Sequence, residues 1–178
     1  MVFSQAYTEM QLQASSRCNL DGQRPYPSQC MEIYLLQLAQ QKAKQKEATV
    51  FSQLVDIFDW KLTRKQQKAY LKALSLGFTI VLTDLSKTIL WASHSFLGMT
   101  GYTTTEAVGQ TPAFLQGDQT SRETVKRIRE ELQQAMSVKV DLINYRKNGE
   151  AYVCRIAIDP LCNSQGELTH FLAVESAV

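Results

Sequence analysis

Gly109-Gln110-Thr111-Pro112-Ala113-Phe114-Leu115-Gln116-Gly117 is the stretch on which the reading of this 178-residue chain turns. It closes a string of short helical turns, Ser93 to Gly117, broken by Gly98, Gly101, Gly109 and Pro112. Pro112 offers neither a nucleophilic side chain nor a backbone N–H.

The pattern changes on both sides of this stretch. Upstream, Phe78, Ile80 and Leu82 alternate with Thr79, Val81 and Thr83, and Asp84-Leu85-Ser86-Lys87 reads as a turn into Thr88 to Ala92, which predicts a hairpin. Downstream, Val125, Ile128, Leu132 and Ala135 share a helical face and predict one longer helix from Ser121 to about Met136. Three strands are expected next, Val138 to Arg146, Ala151 to about Pro160 and Glu167 to Ala177, with turns at Asn148-Gly149 and at Asn163-Ser164-Gln165-Gly166. Two strands, short helices, a long helix and three strands imply an α+β fold: a five-stranded antiparallel sheet with short helices on one face.

N-terminal helices precede that unit. Residues 1–28 are rich in Gln, Ser and Asn, include Pro25 and Pro27, and are expected to form a flexible segment. From Gln29, residues Met31, Tyr34, Leu35, Leu38 and Ala39 recur at helical spacing; an apolar cluster from Val50 to Phe58 follows, and a third helix is bounded by Thr63 as N-cap and Gly77 as C-cap. The chain therefore divides into 1–28, a helical extension 29–75 and a domain 76–178. Residues 29–58 show more apolar surface than one small sheet covers, which predicts a symmetric homodimer through the N-terminal helices.

Bulk composition excludes several classes. A net charge of +2 argues for no general nucleic-acid or membrane partner. Eight basic residues between Gln41 and Lys72 face only Glu47, Asp56 and Asp59, but they carry no nucleic-acid-binding pattern and read as a solvated face. Cys18, Cys30, Cys154 and Cys162 form no Cys-x-x-Cys pair and lie far from His94 and His170, so no metal site is expected. With no signal peptide or membrane span in the sequence, a reducing, cytoplasmic setting is expected. No Ser/His/Asp grouping, carboxylate cluster or phosphate loop marks an enzyme.

Four runs together resemble the PAS domain family, in its light-oxygen-voltage (LOV) branch. They are Ser95-Phe96-Leu97-Gly98-Met99-Thr100-Gly101-Tyr102, the Gly109–Gly117 stretch, Asn144-Tyr145-Arg146-Lys147-Asn148-Gly149 and Gly166-Glu167-Leu168-Thr169-His170-Phe171. The resemblance covers Leu76 to the C-terminus and implies the PAS fold. It places Pro112 where the family carries the cysteine that forms an adduct with photoexcited flavin, which implies a LOV-like domain without adduct chemistry.

The same resemblance supplies the pocket candidates Asn144, Gln116, Glu175, Thr111 and Cys154. Asn144 and Gln116 match the family, whereas Thr111 replaces an asparagine on the ribityl chain, Ala113 an arginine on the phosphate, Cys154 a second ring-edge asparagine and Glu175 the switching glutamine. The lost contacts sum to about 4–6 kcal/mol, which moves FMN from a nanomolar toward a micromolar ligand and leaves the cofactor open. Cys154 reads either as a redox-sensing thiol or as a small buried hydrophobe, and Glu175 either as an inward carboxyl or as part of a frayed, solvated strand end. Haem is disfavoured because Thr120 to Met136 holds no histidine. The function implied is a stand-alone PAS sensory or interaction module with a signalling protein as partner. The alternative is a cysteine-less, FMN-binding redox or photoreduction flavoprotein.

Overall fold

The computed structural model describes residues 28–178; the side chains of residues 28–32, 40 and 44 are outside that description. The expected flexible segment and Cys18 therefore lie outside the described residues, as does the Met31 side chain. Contacts divide the chain between Ala43 and Lys44.

Helix α1 spans Ser28–Ile57 without interruption, so the amphipathic stretch and the apolar cluster that the sequence separates are one helix. Helix α2, Arg64–Leu76, starts at a reciprocal cap: the Thr63 hydroxyl accepts the Gln66 N–H at 3.2 Å, and the Gln66 side chain accepts the Thr63 N–H at 3.0 Å. It stops at Gly77, whose φ of 85° is left-handed and free of strain only for glycine.

The sheet comprises β1 (Thr79–Asp84), β2 (Ile89–Ala92), β3 (Val138–Tyr145), β4 (Ala151–Cys162) and β5 (Leu168–Ala177), in the spatial order β2-β1-β5-β4-β3 with every pair antiparallel. Between β2 and β3 run α3 (Ser95–Thr100), α4 (Thr104–Ala107), a 3-10 turn (Pro112–Leu115) and α5 (Arg122–Gln133). Helix α5 ends earlier than its apolar spacing suggests. Ala135 takes a left-handed φ of 54°, and the Met136 N–H turns back to the Glu131 carbonyl at 3.0 Å, so Ala135 stands exposed beyond the helix.

Two apolar layers form on opposite faces of the sheet. On the inner face Val138, Val140, Leu142, Ile156 and Phe171 pack with Met99 of α3 and with Val125, Ile128 and Leu132 of α5. On the outer face Ile80, Leu82, Leu161 and Leu172 pack with Phe51, Trp60, Tyr70 and Leu74 from α1, α2 and their connection. The N-terminal helices thus close the sheet's second face. That explains why β1 is buried on both sides at Ile80, Val81 and Leu82 rather than alternating between core and solvent. It also accounts for the apolar cluster: Phe51 is 1% exposed and Leu54, Val55 and Phe58 pack on the same core, leaving Ile33, Leu35, Leu36 and Ile57 as the exposed large apolar residues among the described side chains of α1.

Candidate functional site

Strand register brings one set of inward-facing polar side chains together. Asn144 on β3 stands opposite Tyr152 on β4; Cys154 follows two residues along β4; Glu175 on β5 lies opposite Ile156 and, on its other side, opposite Thr79 of β1. The result is a diagonal row of Asn144, Tyr152, Cys154 and Glu175, all buried, with Cys154 fully so.

The electrostatics of the row follow from that burial. The Cys154 thiol donates to Glu175 Oε2 at 3.8 Å. Loss of water raises the Glu175 carboxyl from its ordinary range to about 7, with the thiol contact pulling weakly the other way. Burial, reinforced by Glu175, also pushes the Cys154 thiol well above the usual thiol range. Burial first, then the neighbouring Cys154 and Glu175, raises the Tyr152 phenol. A row whose three titratable members are all pushed toward their neutral forms is suited to hold a neutral polar edge rather than a bare ion.

Glu175 connects this row to the surface. A shallow, largely open hollow of about 510 Å³ lies where β1 begins and β5 ends, lined among others by Phe78, Thr79, Met99, Arg146 and Glu175. Arg146 stacks its guanidinium 4.6 Å above the Tyr152 ring, donates to the Met99 carbonyl and pairs with Glu150 at 3.4 Å. Paired serines set the opposite wall: the Ser93 hydroxyl accepts the Ile80 N–H at 2.9 Å and lies 2.8 Å from the Ser95 hydroxyl, which donates to the Phe78 carbonyl at 3.1 Å. Helix α3 is thereby pinned to the start of β1.

Thr111 and Gln116 are not brought to this hollow. They flank the 3-10 turn as its N- and C-caps, Thr111 exposed and Gln116 half-buried, with Pro112 at the first helical position. Tyr152, Arg146 and Met99 are site residues that the sequence did not single out as candidates. For Arg146 the signal was available, since strand alternation places it two residues beyond Asn144 on the same side.

The flavin implied by the family resemblance can be tested against these atoms. Asn144 Oδ1 and Tyr152 OH are buried without a well-formed hydrogen bond among the described residues, the Asn144 side chain lying only close enough to Tyr152 to oppose the rise of its phenol, and Glu175 has only a thiol, so the row fits the edge of a polar heteroaromatic ring. The other end does not fit. Position 113 is an exposed alanine and position 111 an exposed threonine, and neither carries a charge for a phosphate. The chain therefore fits a ring edge without fitting FMN as a whole. No cluster of three or more metal-binding side chains occurs among the described residues, and no described helix is long and apolar enough to cross a membrane.

Comparison with known proteins places this geometry. The sequence pattern of the family described as PAS domain matches residues 76–175. The chain is 39% identical over 87 residues to phototropin-2 of Oryza sativa subsp. japonica, covering 49% of this chain and 10% of that protein. It is 35% identical over 112 residues to a blue-light photoreceptor of Listeria innocua serovar 6a, covering 61% of this chain and 44% of that protein. Its fold resembles the dark structure of the Aureochrome1 LOV domain with a TM-score of 0.57 at 32% identity, covering 62% of this chain and 83% of the other. The chain thus spans less than half the length of these curated relatives.

Proposed function

The chain belongs to the PAS domain family, and from that premise we propose that it is a cytoplasmic sensory and interaction module in signal transduction that forms no flavin–cysteinyl adduct. The observation that supports this reading most directly is Pro112 at the first position of the 3-10 turn, where the LOV resemblance puts the reactive thiol. Cys154 does not substitute for it. It sits on β4 with no exposed surface, and its raised pKa keeps it a thiol rather than the nucleophilic thiolate. Sensing then rests on occupancy of the hollow beside Glu175 and on contacts made outside it. Illumination of purified protein with blue light, followed by absorption spectroscopy, tests the reading: no rapid, reversible loss of a flavin band is expected. Such a loss without added reductant overturns it.

A second reading is supported by Asn144 Oδ1 and Tyr152 OH, buried without a well-formed hydrogen bond among the described residues. In it the chain binds a flavin ring edge through Asn144 and Glu175, with Gln116 standing apart at the end of the 3-10 turn, and acts in slow redox or photoreduction chemistry. Stoichiometric flavin absorbance in freshly purified protein would put this reading first.

A further inference from the structure

We propose that His170 is a proton-operated latch: its neutral imidazole holds the segment from Phe51 to Leu62 on the outer face of the sheet, and protonation of that imidazole releases the segment. The geometry begins with a bond of fixed direction. Trp60 Nε1 donates to His170 Nδ1 at 3.1 Å, and both residues are buried. An indole N–H can only donate, so His170 Nδ1 must carry a lone pair, which requires the neutral ring with its proton on Nε2. A proton added at Nδ1 sets N–H against N–H and removes the bond.

The surroundings make that bond the centre of the dock. Phe58 lies against His170 with ring centroids 4.2 Å apart and the planes tilted by 50°, and Trp60 meets it edge-on at 5.3 Å. Trp60 also forms an isolated bridge with Asn163, and the Lys61 N–H donates to the Cys162 carbonyl at 2.9 Å. Backbone pairing between the α1–α2 connection and the end of β4 thus lies beside the histidine.

The groups facing His170 oppose its charge more than they favour it. The connection presents the uncharged Phe58 and Trp60, and β4 presents Leu161 as the register partner. On β1 the register partner is Asp84, whose carboxylate favours the imidazolium but is also engaged by the Thr88 N–H at 2.7 Å. Asp59 beside Trp60 is bonded by the Ser164 hydroxyl, and Lys61 is exposed. Desolvation outweighs Asp84 and lowers the His170 pKa. The sign follows: the docked state binds the proton less well than the released one, so docking is complete above the ordinary histidine pKa and weakens as pH falls through and below it.

The Lys61 amide is the local reporter, because its partner is across the dock. Hydrogen exchange at Lys61 in the full chain, corrected for intrinsic rate, is expected to quicken by up to about tenfold between roughly pH 7.5 and pH 5.5. Trp60 emission in a Trp91→Phe background should shift to the red over the same range. His170→Gln keeps an acceptor for the indole without a titrating group and should abolish the acid step. Trp60→Phe keeps the ring without the donor and should shrink it; His94→Gln, at the exposed second histidine, should leave it intact. A flat pH response in the unmodified chain, a full step in His170→Gln, or loss of the step in His94→Gln overturns the latch.

Discussion

A Cβ on Gly117 would stand 2.5 Å from Cε2 of Tyr145, closer than any side chain tolerates. Glycine there lets the loop after the 3-10 turn lie against β3. Three bonds then fasten it: Tyr145 OH accepts the Gln119 N–H at 3.0 Å, Thr120 Oγ1 donates to the Ile143 carbonyl at 2.6 Å, and the same hydroxyl accepts the Gly117 N–H at 3.0 Å. Gly117→Ala is expected to cost about 1–3 kcal/mol in urea denaturation through steric overlap. Adding Tyr145→Leu should recover part of that loss, since the two positions share one clash. Simple additivity of the two changes would show that the contact does not set the cost.

The buried carboxyl of Glu175 makes stability depend on pH. Because the folded chain holds the proton up to about 7 whereas an unfolded glutamate releases it near 4.5, the stabilisation is fully present below the lower value and is lost as pH rises through the higher one. The difference corresponds to roughly 3 kcal/mol. Glu175→Gln should flatten denaturation midpoints across this window and raise stability at about pH 8. An unchanged slope in the variant would rule out Glu175 as its source. His170 acts with the opposite sign, destabilising at the acid end.

Flavin chemistry should not return with a single thiol. Pro112→Cys restores a nucleophile but neither a phosphate contact at the exposed Ala113 nor the side-chain amides that the family carries at positions 154 and 175, so the variant is expected to purify colourless. Combining Thr111→Asn, Pro112→Cys, Ala113→Arg, Cys154→Asn and Glu175→Gln should bind FMN measurably by fluorescence titration. Tight FMN binding by the unmodified chain would contradict the affinity argument.

Self-association is proposed to rest on residues 1–43. Deletions reaching residue 60 are unsuitable because they remove Phe51 and Trp60 from the outer core, whereas a cut between Ala43 and Lys44 follows the division of the chain. Light scattering should give a dimer for the full chain and a monomer after removal of residues 1–43. A monomer for the full chain at high micromolar concentration refutes the proposal.

The sheet and its order of elements were legible because the signals are local. Alternation marks β3 and β4, Asn148-Gly149 and Asn163-Gly166 mark the turns, and Thr63 and Gly77 bracket α2 by cap chemistry. The destination of α1 was not legible. Phe51, Leu54 and Val55 announce a buried face without naming what buries it, and both a second copy and the outer face of the chain's own sheet satisfy that pattern. For the same reason the bond from Trp60 to His170, 110 residues apart, left no trace in spacing. The polar row was partly legible: Asn144, Cys154 and Glu175 stand at positions that the family resemblance singles out, while nothing in the sequence sets Tyr152 opposite Asn144 before the register is known.

The strand order carries a consequence for synthesis. β1 lies between β2 and β5, and Thr79 pairs with Glu175 and Asp84 with His170. On the ribosome, β1 emerges long before the strand that completes it, and Ile80, Val81 and Leu82 wait with one edge open until nearly a hundred further residues have been made. A six-residue strand with three consecutive apolar residues and an unpaired edge is a template for pairing with another nascent chain. During that interval α1 and α2, already synthesised, can cover the face of β1 that carries Ile80 and Leu82, while its edge waits for β5.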